Sequence, residues 1–159
     1  MGTQLLLLDF HERCHRSLHR YLEHCQVLSD EQLDRELEGF GYPTVRSQLQ
    51  HVIGAERYWV SVLRDCMDAS EADAVSIDAL EDFRQSVFEV TRRWLGATPD
   101  EELTTPRKMT TFGGHERMLT PAHVILRTQT HLFHHMGQLA AMCRILGHPI
   151  PEGWDFPLL

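Results

Sequence analysis

The chain has 159 residues, 42% of them hydrophobic, and a formal net charge of −8 at pH 7. A chain of that length is most simply one domain over residues 1–159, large enough to bury a core without disulfides or metal as a folding aid, so a metal here would serve function. The negative charge and scattered basic residues argue against a general nucleic-acid binder, and no window approaches the roughly 18–20 uninterrupted apolar residues of a membrane span.

Gln4–Leu8 lacks a basic segment before it and runs straight into Asp9, His11, Glu12 and Arg13, so it reads as the start of a helix and not as a secretion signal. The helix extends to about Cys25, with Leu7, Leu8, Leu18, Leu22 and Cys25 on one stripe and His11, Cys14 and His15 in its middle. Residues 28–33 form a connector with one short turn of helix. A second helix starts at the N-cap Thr44 after Pro43 and runs to about Cys66, with His51, Ala55, Trp59, Val62 and Cys66 expected on its apolar face, flanked by Val52 and Leu63. Asp68–Val75 is small and acidic, the pattern of an exposed loop.

A third helix opens at the N-cap Ser76 and stops at Gly96, its stripe being Leu80, Phe83, Val87, Val90, Thr91 and Trp94. Between Pro99 and Pro121, two short runs flank Gly113-Gly114, which fits either a small β-hairpin with a two-residue turn or an irregular lid. Thr120 and Pro121 open the fourth helix, which ends at Gly147. The proline-rich tail with Trp154 and Phe156 is expected to pack back on the helices. The fold class is therefore all-α: four amphipathic helices with a hairpin or irregular insertion before the last.

Histidine is the unusual component, with 11 in the chain. On the fourth helix, Val124, Arg127, Thr128, His131, His135, Gln138, Met142 and Ile145 share a face that is apolar at both ends and polar in its middle. Polar groups on a core face cost several kcal/mol unless they are hydrogen-bonded, hydrated or bound to something. His131 and His135, four residues apart, can reach one ion, and His51 is the inward histidine of the second helix. The predicted ligand set is His51, His131 and His135. Three neutral imidazoles suit a divalent metal, Zn or Ni first and Fe next, and leave a position open for water or substrate.

His11, His15, Arg127, Thr128 and Gln138 are expected to line the pocket. His134 points about 100° away from His135 and reads as a surface residue. Leu132 stands where a zincin would carry its glutamate, which argues against that peptidase mechanism. Cys14, Cys25, Cys66 and Cys143 show no C-x-x-C and read as small hydrophobes in a reducing, cytoplasmic setting. A second apolar strip on the fourth helix, Leu126, Phe133, Ala140 and Ala141 beside Gly137, needs a cover: two neighbouring helices or a homodimer partner.

Three stretches together carry a family resemblance: Leu-Ser-Asp-Glu-Gln-Leu at 28–33, His-Val-Ile-Gly-Ala-Glu-Arg-Tyr-Trp at 51–59, and His131-x3-His135 followed by Gly137-Gln138. In order and spacing the chain resembles the DinB-like (DinB/YfiT) superfamily of metal-dependent proteins over nearly its whole length. The resemblance implies an up-down-down-up four-helix bundle, often homodimeric, with metal held by the positions of His51, His131 and His135. It also implies chemistry with low-molecular-weight thiols such as bacillithiol or mycothiol, used by transferases and isomerases of that family. The chain departs from the family in its first helix, where His11, Arg13 and His15 replace the usual Trp and Asn residues, and at Met136, where Arg often precedes Gly-Gln.

Two readings follow for function. One is a metal-dependent enzyme that activates a thiol or water for attack on a small electrophilic substrate, in the manner of a thiol transferase. The other is a non-catalytic, stress-linked metal- or ligand-binding scaffold.

Overall fold

The computed structural model describes residues 2–70 and 75–158. Four long helices carry the structure: α1 (Thr3–Cys25), α3 (Val45–Leu63), α4 (Ile77–Ala97) and α6 (Pro121–Ile145), with short helices α2 (Asp30–Leu33) and α5 (Asp100–Thr104) between them. Helix starts follow local capping chemistry. Ser29 with Gln32 and Thr44 with Ser47 make reciprocal capping boxes, and the Ser76 hydroxyl accepts from the Ala79 amide. Pro121 opens α6, and Gly147, with φ of +88°, takes the left-handed position after its end. The start of α1 is capped from a distance: the Asp100 carboxylate accepts from the amides of Thr3 and Gln4 at 3.1 and 2.6 Å.

Helix α1 packs against α4 and α6, and α3 packs against α4 and α6, so each long helix has two long neighbours. The buried side chains fall into two apolar clusters, one around Leu18, Leu49, Ile53, Leu80 and Leu139, the other around Leu7, Val62, Leu95 and Ile125. A buried polar layer separates them on every long helix: His11 and His15 between Leu7 and Leu18, Glu56 between Ile53 and Val60, Thr91 between Val87 and Leu95, Gln129 between Ile125 and Leu132.

The segment before α6 is a hairpin, β1 (Arg107–Thr111) paired antiparallel with β2 (His115–Leu119), in register from Arg107 opposite Leu119 to Thr111 opposite His115. Its connection is a three-residue 3-10 turn, Phe112–Gly114, and not the expected two-residue turn; Gly113 and Gly114 both have positive φ. Helix α5 escaped the sequence reading because five residues are too few to show a period. The loop expected over residues 68–75 lies partly outside the described residues. Helix α3 stops at Leu63, leaving Cys66 exposed instead of on an apolar face.

The tail packs back as expected, with Trp154 5.8 Å from Tyr21 and Phe156 5.4 Å from Phe10 and 5.9 Å from Phe133 between ring centroids. It thereby covers part of the second strip of α6, while Leu126 stays 41% exposed. Arg13, one of the departures in the first helix, donates to the Pro157 carbonyl at 2.9 Å and so holds this tail. Among the described residues no helix is long and apolar enough to cross a membrane.

Candidate metal centre

His51 on α3 and His131 and His135 on α6 converge where these two helices pack. The Nε2 atoms of His51 and His131 are 3.4 Å apart and those of His131 and His135 are 3.0 Å apart. The Tyr42 ring stacks on His51 with centroids 3.8 Å apart. Burial, with His135 beside it, holds the His51 pKa down to about 4. Burial with His51, Arg127 and His134 does the same for His131, and burial with His131 and His134 for His135, each to about 4. All three imidazoles are therefore neutral at pH 7, the form that ligates.

A chain of side-chain amides fixes the tautomer of His135. Its Nδ1–H donates to Gln48 Oε1 at 2.6 Å, Gln48 Nε2 donates to Gln138 Oε1 at 2.6 Å, and Gln138 Nε2 donates to His134 Nε2 at 2.8 Å. With its proton on Nδ1, neutral His135 turns a bare Nε2 lone pair toward the other two imidazoles. A cation at that point satisfies three nitrogen donors together, and an outer hydrogen bond of this kind is what orients metal-bound histidines. The donor set therefore fits a divalent metal with nitrogen preference. His51 and His131 also line a cavity of about 730 Å³ that reaches Trp59 and Arg127, so a metal would have an open side.

His11 and His15 lie elsewhere than in this pocket. Both donate through Nε2 to the fully buried Glu56, at 2.9 Å each, one to each carboxylate oxygen. Thr91 Oγ1 and Gln129 Nε2 complete the shell at 2.7 and 3.1 Å. Burial pushes the Glu56 pKa up, but His15, His11 and their hydrogen bonds outweigh it and hold the carboxyl well below its usual range. Burial lowers the His15 pKa and keeps the ring neutral. Arg84 Nη1 lies 3.3 Å from His15 Nδ1, so that nitrogen accepts and Nε2 carries the proton.

The His11, His15 and Glu56 donor atoms lie close enough together to hold an ion, as do those of the three-histidine cluster. Chemistry separates the two groups. Around Glu56 every carboxylate lone pair faces a donor and a guanidinium stands behind His15, both unfavourable to a further cation. The Nε2 atoms of the three-histidine cluster instead face one another beside a cavity, with no guanidinium or fixed donor among the described residues aimed between them.

Of the remaining expected pocket residues, Arg127 lines the cavity. Thr128 does not: it is buried and its hydroxyl donates to the Val124 carbonyl within α6. Gln138 acts one step removed, through Gln48. Burial pushes the Cys14 thiol up to about 12, with the Glu56 charge adding to it, which disqualifies it as a nucleophile. The sequence reading missed Gln48, Glu56, Arg84 and Gln129. The apolar stripe of α3 runs Val45, Leu49, Val52, Val60, Leu63; it keeps the expected Val52, Val62 and Leu63 buried but is rotated away from His51, Ala55 and Trp59, and Glu56 interrupts it. That interruption was the available signal.

The depressed histidines set a pH dependence. Between pH 6.5 and about 4 the unfolded chain takes up protons at His51, His131 and His135 that the folded chain refuses. Stability in the presence of a chelator is therefore expected to fall as pH drops through that window, and His15 acts in the same sense. Thermal unfolding at pH 7.5, 6 and 5 in EDTA checks this; a Tm that holds constant would contradict it.

The family model described as the DinB family matches residues 1–158. No curated protein matches. Among solved structures, that of a proposed DinB-family member from Exiguobacterium sibiricum 255-15 is similar, with a TM-score of 0.70 and 17% identity over 98% of this chain and 99% of that one. A likeness at that identity speaks for the fold, and the family match extends over every residue that builds the two polar clusters. The chain belongs to the DinB family.

Proposed function

We propose that the chain is a metal-dependent enzyme that activates a thiol or water for attack on a small electrophilic substrate, in the manner of a thiol transferase. The observation that carries it is the convergence of three neutral imidazoles, with the His135 tautomer set by Gln48, at the wall of an open cavity. His51, His131 and His135 would hold Zn, Ni or Fe. When bound, the metal supplies a Lewis acid that lowers the pKa of a thiol or water. The chain's own residues supply the rest: Gln48 and Gln138 hold the His135 ring in place, and the helices exclude water from its buried side. On this reading the four long helices form an up-down-down-up bundle, the protein is cytoplasmic, and α6 contributes Leu126 and its neighbours to a homodimer.

One observation favours a non-catalytic binding protein instead. Among the described residues the carboxylate lining the cavity is Asp68, which is engaged by the Ser70 amide and hydroxyl and lies 3.8 Å from Arg57 Nε, so it is poorly placed as a general base. An assay of metal-loaded protein with low-molecular-weight thiols against a panel of electrophiles separates the two. Turnover that disappears in His131→Ala is the expected result. Stoichiometric metal without turnover would leave the binding role, and turnover undiminished in His131→Ala would remove the metal from the chemistry.

A further inference from the structure

We propose that the cavity selects a small ligand bearing a carboxylate or similar oxyanion, gripped by Arg127 one helical turn from His131, with its apolar body against Trp59. The inference deepens the proposed function by naming the ligand class of the same site, and it rests on that reading only for which end of the ligand reacts.

Two helix faces lay out the groove. On α3, His51, Ala55 and Trp59 recur every four residues and so line one face over about 12 Å at 1.5 Å per residue. On α6, Arg127 precedes His131 by four residues and stands about 6 Å along the helix from it. His51 meets His131, and Arg127 lies over the Trp59 ring with its guanidinium carbon 5.0 Å from the centroid. The groove thus has the His51 and His131 imidazoles at one end, with His135 behind them, and a cation on an aromatic plate at the other.

Among the described residues the charge of Arg127 is uncommitted. Arg13, Arg46, Arg57, Arg84, Arg92 and Arg107 each pair with a carboxylate. Arg127 is exposed on the cavity wall and has no ion-pair partner among the described residues, in a chain whose net charge is −8. Asp68, on the same cavity, already faces Arg57 and Ser70. Neutral imidazoles add no negative charge, so among the described residues the free charge along the groove is positive, and a metal would increase it. A guanidinium on a tryptophan face keeps its edge N–H groups free for the two oxygens of a carboxylate.

The apolar part of the wall is also laid out in advance. Trp59 packs edge-on to Tyr58 at 5.2 Å, and the Tyr58 hydroxyl accepts from the Phe112 amide at 2.8 Å, which ties the hairpin tip to the groove. The Phe112 side chain there is 71% exposed. Gly54 leaves open space, since a Cβ at that position would meet nothing within 4 Å. The ligand class is therefore a small organic anion with a flat or apolar body, its charge several bonds from the atom beside the imidazoles.

Titration with 3-phenylpropionate and with its neutral amide, followed by tryptophan fluorescence in EDTA, tests this without metal or turnover. A Trp59→Phe variant assigns the signal. Wild type is expected to bind the carboxylate about 10-fold more tightly than the amide, the size of one exposed charge-assisted contact. Arg127→Gln is expected to abolish that preference with an unchanged circular dichroism spectrum. Equal affinities in wild type, a preference that survives in Arg127→Gln, or no saturable binding of either probe would each overturn the proposal. A carboxylate preference in protein that takes up no metal would uphold it while removing the metal reading.

Discussion

Glu56→Ala is expected to leave the protein largely unfolded near 40 °C, and Glu56→Gln to fold with a modest loss. The Glu56 carboxylate accepts four hydrogen bonds, from His11, His15, Thr91 and Gln129, in a layer with no water access. Alanine orphans all four donors, and at about 1–3 kcal/mol for each unsatisfied buried group the loss reaches about 4–8 kcal/mol even after the relief of no longer burying a charge. That is comparable to the whole stability of a domain, roughly 5–15 kcal/mol, and corresponds to a Tm drop on the order of 10–30 °C. Glutamine fits for a reason specific to His11. His15 is locked as the Nε2–H tautomer by Arg84, but His11 Nδ1 has no partner, so His11 can move its proton there and accept from the new amide. The amide oxygen then keeps His15 and Gln129, at a net loss of about 1–3 kcal/mol. Urea unfolding of both variants checks this. A Glu56→Gln variant as damaged as Glu56→Ala would mean that the negative charge itself, and not the hydrogen bonds, holds the layer together. The depressed carboxyl also implies that its contribution is whole above the ordinary carboxylate range and is lost progressively as pH falls from there through its lower folded-state value.

The elements that could be read from the sequence are those whose cause is local. Caps at Thr44 and Ser76, Pro121 in the first turn of α6 and the glycine after its end place helix ends within a few residues, because each satisfies or fixes a backbone group next to it, while the Thr120 side chain makes no capping bond. His131 and His135 could be paired because a four-residue spacing on a helix is itself a geometry. The rotation of α3 could not be read in the same way. Ala55 and Trp59 line a cavity, and a cavity wall has the same small and aromatic composition as a core face, so periodicity alone centres the stripe on them, while the core takes its edge at Val52, Val62 and Leu63. His11 and His15 face inward as their place on the stripe implies, yet their partner is Glu56 and not the three-histidine pocket. The acid that receives them stands 41 and 45 residues away, and its sequence neighbours Arg57 and Tyr58 make it look like part of a solvated turn of helix. Gln48 and Arg84 share this character: each is a polar residue in an apolar stripe whose meaning depends on a contact from another helix.

His131→Ala is expected to abolish tight metal binding, and Gln48→Leu to weaken it while leaving every ligand in place. His131 Nε2 is the central nitrogen, within 3.4 Å of His51 Nε2 and 3.0 Å of His135 Nε2, so its removal leaves two donors with nothing between them. Two imidazoles from a half-buried site are a poor match for a tetrahedral ion that then has to complete its shell with water. Gln48 touches no ion position, but its Oε1 accepts the His135 Nδ1 proton at 2.6 Å and so dictates which nitrogen is free to ligate. With leucine there, His135 can rotate or shift its proton to Nε2, and each unit of affinity then carries the cost of reversing that choice. Loss of an outer partner of this kind costs about 10–100-fold in affinity, and loss of a ligand costs more. Competition against a chromogenic chelator at pH 7.5, with elemental analysis of the purified variants, orders the three proteins as wild type, Gln48→Leu, His131→Ala. Equal metal content in wild type and His131→Ala would exclude the three-histidine site. Equal affinity in wild type and Gln48→Leu would mean that the ring of His135 is held by α6 packing alone, without help from the amide chain that runs from Gln48 through Gln138 to His134.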